Sequence, residues 1–109
     1  MSRAKGNAAE DIACQFLMDS GFAIVERNFY SRFGEIDIIA LKNDVLHFVE
    51  VKSGLDYESA ILNITKSKLS KVIKTAQVYM KKSSLDLDFV FDALIVAEQK
   101  VEFIENITL

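Results

Sequence analysis

The sequence predicts an α/β domain: a mixed central sheet of about five strands flanked by helices, in the order αβββαββ. Three observations carry this. Residues 4–20 and 65–83 repeat their apolar side chains at helical spacing, residues 34–52 alternate like two strands around a turn, and residues 89–107 hold two further β-rich runs.

In the first helix Ala9, Ile12, Ala13, Phe16 and Leu17 share one face, and Gly21 follows as a stop signal. A strand then spans 22–29. The next two strands, 34–41 and 45–52, flank the turn residues Lys42-Asn43-Asp44. Beyond Gly54, no pattern assigns the chain up to about residue 64. The second helix carries Leu69, Val72, Ile73, Ala76, Tyr79 and Met80 on its apolar arc, and strands at 89–97 and 101–107 meet at Glu98-Gln99-Lys100. No repeat, linker or low-complexity tract divides the 109 residues, so a single domain is expected.

Half of the residues are hydrophobic and 27% are charged, which excludes a disordered chain. Cys14 is the only cysteine, so an intrachain disulfide is impossible; its place in a helical pattern predicts a buried thiol in a reducing compartment. No run approaches the roughly 18 to 20 apolar residues that cross a bilayer, and the N-terminus lacks the apolar core of a signal peptide. These features predict a cytoplasmic protein with no membrane partner. The net charge of -3 argues against a general nucleic-acid coat protein. Its distribution is uneven: residues 59–85 hold six lysines and no acid, so that segment carries +6 and the remainder -9. Lys68, Lys71, Lys74, Lys81 and Lys82 fall opposite the apolar arc of the second helix. Such a face is often only solvated, but lysines without acids at i±3 or i±4 repel one another, which points to a polyanion.

The hairpin suggests chemistry. With Asn43-Asp44 as a two-residue loop, paired positions sum to 87, placing Asp37 opposite Glu50 and Glu35 opposite Lys52. Like charges facing each other about 5 Å apart are destabilising unless a cation lies between them. Lys52 shares the face of Glu50, two residues away. Asp37 and Glu50 with the Val51 carbonyl offer oxygens for Mg2+ or Mn2+, and a lysine beside that ion can position an attacking water or offset phosphate charge. This set suits phosphodiester hydrolysis. The competing reading is a solvated sheet face with mutual ion pairs, but Ile39, Leu46 and Phe48 share the face and make it largely apolar. Glu10, beside the apolar arc of the first helix, can reach such a site as an accessory acid, or can simply favour the helix dipole. His47 has the opposite parity from Glu50 and is expected to pack, not to ligate. There is no phosphate-binding glycine loop, no Ser-His-Asp order and no zinc spacing, and the eight phenylalanines show no stacking platform for bases.

Gly6-x-x-x-Glu10-x-x-Ala13, Gly21-Phe22, Arg27-Asn28, Gly34-Glu35-Ile36-Asp37, Phe48-Val49-Glu50-Val51-Lys52, Lys68 and Ala76-x-x-Tyr79, with Phe91-Asp92 as a weaker echo, resemble the YraN-like family of small bacterial proteins. That family looks like a branch of the PD-(D/E)XK nuclease superfamily, related to archaeal Holliday-junction resolvases. The resemblance implies a restriction-endonuclease-like fold, with Asp37 and Glu50 as metal ligands, Lys52 as catalytic lysine, Glu10 as accessory acid and Lys68 on a phosphate. Relatives usually carry arginines where Ser53-Gly54 and Val90 stand. Ile36 replaces the superfamily's proline, as is normal for the branch.

The resulting expectation is a Mg2+- or Mn2+-dependent endonuclease on DNA, including branched forms, with Lys68, Lys71 and Lys74 meeting the backbone. The alternative is a silent nuclease-fold module that binds nucleic acid or a protein. Cutting a symmetric junction needs two sites, which points to a homodimer.

Overall fold

The computed structural model describes the backbone of residues 3–54, 57–62, 64–97 and 100–108, with side chains except those of 3–7, 57, 60 and 61. The elements are α1 (Arg3–Asp19), β1 (Ala23–Ser31), β2 (Gly34–Lys42), β3 (Val45–Gly54), α2 (Tyr57–Leu62), α3 (Lys66–Ser83), β4 (Asp88–Ala97) and β5 (Lys100–Ile104). The short α2 fills part of the stretch that carried no sequence pattern. Gly6 falls in the first turn of α1, and Glu98 and Gln99, from the turn expected before β5, lie outside the described residues.

Five strands form one mixed sheet in the order β1-β2-β3-β4-β5. Only β3 and β4 run parallel; the other neighbours are antiparallel. A parallel pair needs a long crossover, and α2 with α3 supplies it. The sheet therefore has an apolar layer on each face. Phe29, Ile36, Ile39, Leu46, Phe48 and Phe91 pack with Val72, Ala76 and Tyr79 of α3. On the other face Ile38, Ala40, Val49 and Leu94 pack with Ala13, Cys14 and Leu17 of α1. This architecture is consistent with a restriction-endonuclease-like fold.

Local chemistry sets the boundaries. Gly21, at φ +93°, ends α1: Phe22 N donates to Leu17 O and Gly21 N to Met18 O, the double bond of a left-handed helix stop. At the other helix, Thr65 caps α3 by accepting from Lys68 N at 3.2 Å. Asn43 and Asp44 both adopt positive φ, 52° and 62°, as a tight two-residue hairpin loop requires. The β2–β3 register follows, with Leu41 opposite Leu46 and Ile38 opposite Val49. A second two-residue turn, Arg32-Phe33, joins β1 to β2 through the pair Ser31–Gly34, so β1 runs two residues beyond the expected end. β5 is shorter than expected. After Ile104 the chain turns inward, and Asn106 N donates to Asp92 while Ile107 N donates to Phe91 O.

One irregularity positions the site. Alternation should put Ile36 and Ile38 on one face of β2, yet Ile36 packs toward α3 with Ile39 while Ile38 packs toward α1. The break falls at Asp37. On β1, Asn28 at φ 56° lies between the pairs Arg27–Ile38 and Phe29–Ile36, opposite Asp37. Such local departures re-aim a side chain at the end of a ladder.

Candidate metal centre

At that break the acids converge. Glu10 from α1 with Glu35 and Asp37 from β2 each offer a carboxylate oxygen, and these oxygens all lie within 4.8 Å of one another. Glu50, on β3, lies close enough for its charge to bear on the Asp37 carboxyl. Asp37 also accepts from Val51 N at 2.8 Å, where the recorded β2–β3 ladder has ended. Lys52 Nζ lies 3.7 Å from Glu50 Oε2. The register thus carries Asp37 and Glu50 to one place, and Asp37 is the hub of two groupings, one with Glu50 and one with Glu10 and Glu35.

The electrostatics are strained in the absence of a counter-ion. Burial first, then the Glu50 charge, push the Asp37 carboxyl up to about 8, while the Val51 N–H opposes the rise. A carboxyl raised this far holds a proton near neutral pH, and a divalent cation would take that proton's place. Glu10 is only 8% exposed, and its Oε1 has no hydrogen-bond partner among the described residues. Arg27 Nη2 is 3.6 Å away, an electrostatic contact, while its Nη1 pairs with Asp11 Oδ1 at 2.8 Å. Asn28 Oδ1, on the residue opposite Asp37, is also buried without a partner. Buried oxygens left bare cost about 1–3 kcal/mol each, so such atoms beside an acid cluster fit a cation site.

The lysines fall in a row along α3. Lys68 lines a small apolar cavity with Glu50, Lys52, Leu69 and Val72. One turn on, Lys71 Cβ lies where a Cβ on Gly34 would meet it at 3.6 Å. Lys74 Nζ rests 5.6 Å from the centre of the Phe33 ring. Only Lys68 is therefore beside the acids; Lys71 and Lys74 border the β1–β2 turn.

Other marked residues have internal roles. His47 is 6% exposed and hydrogen-bonds through Nδ1 to Asp92 Oδ2, so it packs away from the acids as expected. Phe91 stacks on Phe48, 5.4 Å between ring centres. Cys14 is buried and free, and burial raises its thiol above the usual range, which suits an inert core residue. Among the described residues no helix is long and apolar enough to cross a membrane.

Sequence reasoning did not place Glu35, Arg27 or Asn28 in the site. Glu35 had a usable signal, since it stands two residues from Asp37 on one strand. Arg27 and Asn28 had none beyond the motif, because Arg27's approach depends on how α1 lies over β1 and Asn28's on how β1 pairs with β2.

Comparison with known proteins identifies the lineage. Residues 9–96 match the Uncharacterised protein family UPF0102. A UPF0102 protein of Sulfurimonas denitrificans is 64% identical over 109 residues, covering 100% of both chains. One of Wolinella succinogenes is 60% identical over the same span, again 100% of each. A Helicobacter pylori relative is 58% identical over 106 residues, 97% of this chain and 92% of its own. With the family match spanning most of the chain and full-length relatives at this identity, the protein belongs to the UPF0102 family.

Proposed function

We propose that the protein is a Mg2+- or Mn2+-dependent endonuclease that hydrolyses phosphodiester bonds of DNA, including branched forms. The observation that carries the reading is Glu10 Oε1, buried without a hydrogen bond among the described residues, inside a group of acids whose oxygens lie within 4.8 Å. Hard divalent cations take such carboxylate oxygens.

Asp37, Glu50 and Glu10 would hold the ion, with Glu35 and the Val51 carbonyl as further oxygens. When bound, the ion supplies an activated water and offsets charge on the scissile phosphate. Lys52, held beside Glu50, orients that water and faces the phosphate oxygen that gains charge. Arg27 fixes the Glu10 carboxylate from behind, as outer partners of metal ligands do. Lys68, bordering the same cavity, meets a flanking phosphate, and Lys71 and Lys74 continue along the backbone. Attack by water on phosphorus forms one P–O bond and breaks another. Two such sites are needed to resolve a symmetric junction, so a homodimer belongs to this proposal.

A second reading, a silent module on the same fold, draws on the separation of the lysine row from the acids. Titration of Mg2+ and Mn2+ into wild type and Asp37→Asn, by calorimetry, separates the two. The nuclease reading expects binding in wild type that disappears in Asp37→Asn, and metal-dependent cleavage of a branched DNA that the variant lacks. Absence of metal binding in wild type, with DNA binding retained, would leave the silent module.

A further inference from the structure

We propose that Phe33, with Arg32 and Lys74, forms a platform on which one unpaired base of DNA stacks, about two to three nucleotides from the acid cluster. This deepens the DNA reading above and rests on it.

The phenylalanines divide sharply. Phe29, Phe48 and Phe91 build the apolar layer under α3, Phe89 packs edge-on against Phe48 and Phe91, and Phe16, Phe22 and Phe103 pack together under α1. Phe33 belongs to neither layer. Its recorded ring contacts among the described residues are cations: the Arg32 guanidinium at 4.8 Å and Lys74 Nζ at 5.6 Å from the ring centre. Both cations stand over a half-buried ring and belong to exposed residues, so a base takes the π-face as one of them moves from the ring onto the nucleotide's phosphates.

The turn that carries the ring is also held in place. Phe33 N donates to Ser31 Oγ at 3.0 Å, and Ser31 Oγ bonds to the fully buried Thr75 Oγ1 at 2.8 Å, fixing the turn to α3. With the turn backbone fixed, a base that stacks on the ring orders only the Phe33 side chain on the protein side.

The lysine row sets the distance. Lys68 borders the cavity shared with Glu50 and Lys52, and Lys74 touches Phe33. Six residues of helix separate them by ~9 Å. Successive phosphates advance about 3.4 Å along one strand of a duplex, so the row covers about two to three nucleotides. A base inside a duplex is already stacked and has no free face to offer. The platform therefore selects DNA with an unpaired base close to the metal centre, as at a fork, flap or junction.

The chain has no tryptophan, so Phe33→Trp places a single indole reporter at the platform. Three DNAs are titrated without divalent metal: a blunt duplex, the same duplex with a single-stranded arm, and the arm alone. Indole emission is expected to be quenched by the two DNAs with unpaired bases and not by the blunt duplex. Phe33→Ala should lose about ten-fold in affinity for the armed duplex and under about two-fold for the blunt one, with Phe33→Tyr restoring the difference. No quenching, equal losses on both duplexes, or no DNA binding by wild type would each overturn the platform. If Phe33→Ala does not fold, the indole and Phe33→Tyr measurements decide alone. Because metal is absent, failure of cleavage leaves this result untouched, and failure here leaves the metal titration untouched.

Discussion

The molecule holds two polar clusters against the same sheet, one buried and one half-buried, and they are opposites. In one, Asp92 is fully buried, accepts from Asn106 N at 2.9 Å and bonds to His47, so both carboxylate oxygens are occupied. In the other, Glu10 Oε1 is buried with no hydrogen-bond partner among the described residues, and burial with the Glu50 charge pushes the Asp37 carboxyl up to about 8. The first ties β3, β4 and the chain after β5 into one unit and leaves nothing for a ligand. The second leaves a buried Glu10 oxygen without a hydrogen bond among the described residues. Buried polar groups of like composition can thus be told apart by whether the protein satisfies them itself.

The largest effect should come from breaking the satisfied cluster. Asp92→Ala strands His47 and Asn106 N, and should cost about 3 kcal/mol in urea unfolding. A loss below about 1 kcal/mol would remove the contrast. Next, Arg27→Ala frees the Glu10 carboxylate and should weaken Mn2+ binding by about ten-fold, read by calorimetry, while the unfolding midpoint moves little. An unchanged affinity would place Arg27 outside the site.

The sign reverses at the unsatisfied cluster. Asp37→Asn should stabilise the metal-free protein by about 1–2 kcal/mol at pH 8. The folded carboxyl titrates near 8, above its ordinary range, so between those limits the folded state holds a proton that the unfolded chain has released. That stability is fully present at low pH and falls as pH rises toward 8. Wild type should show this decline in chemical unfolding, Asp37→Asn should be flat over the same window, and parallel curves would refute the assignment. The same proton must leave when metal binds, so Mn2+ affinity should tighten from pH 6 to 8.

The smallest effect concerns the lysine row. Lys68, Lys71 and Lys74 changed together to alanine should lower the slope of log affinity against log salt by about 2 to 3 in DNA binding. An unaltered slope would make the row solvated surface.

Much of this was legible in the chain. The turn residues Asn43-Asp44 fix the hairpin register through their own left-handed backbone, and that register carries Asp37 to Glu50. The helix periods place Leu17 and Tyr79 in the core, and the odd parity of His47 keeps it out of the site. Other features were not legible. The alternation break at Asp37 leaves no mark in a pattern read by twos, and Ile36 would have been assigned to the wrong face. Phe33 looked like any other phenylalanine until the turn set it apart.

The sequence by itself determined the two long helices, the strands, their order and the pairing of β2 with β3, because these depend on steric and turn preferences spanning a few residues. Only the tertiary structure decided that Glu10 meets Asp37, that Arg27 stands behind Glu10, and that Lys74 reaches Phe33. Those contacts join α1 to the sheet and α3 to the β1–β2 turn, across separations of up to 41 residues in sequence for Phe33 and Lys74. They are set by how each helix packs on its face of the sheet, and by the break in β2 that turns Asp37 toward the other acids.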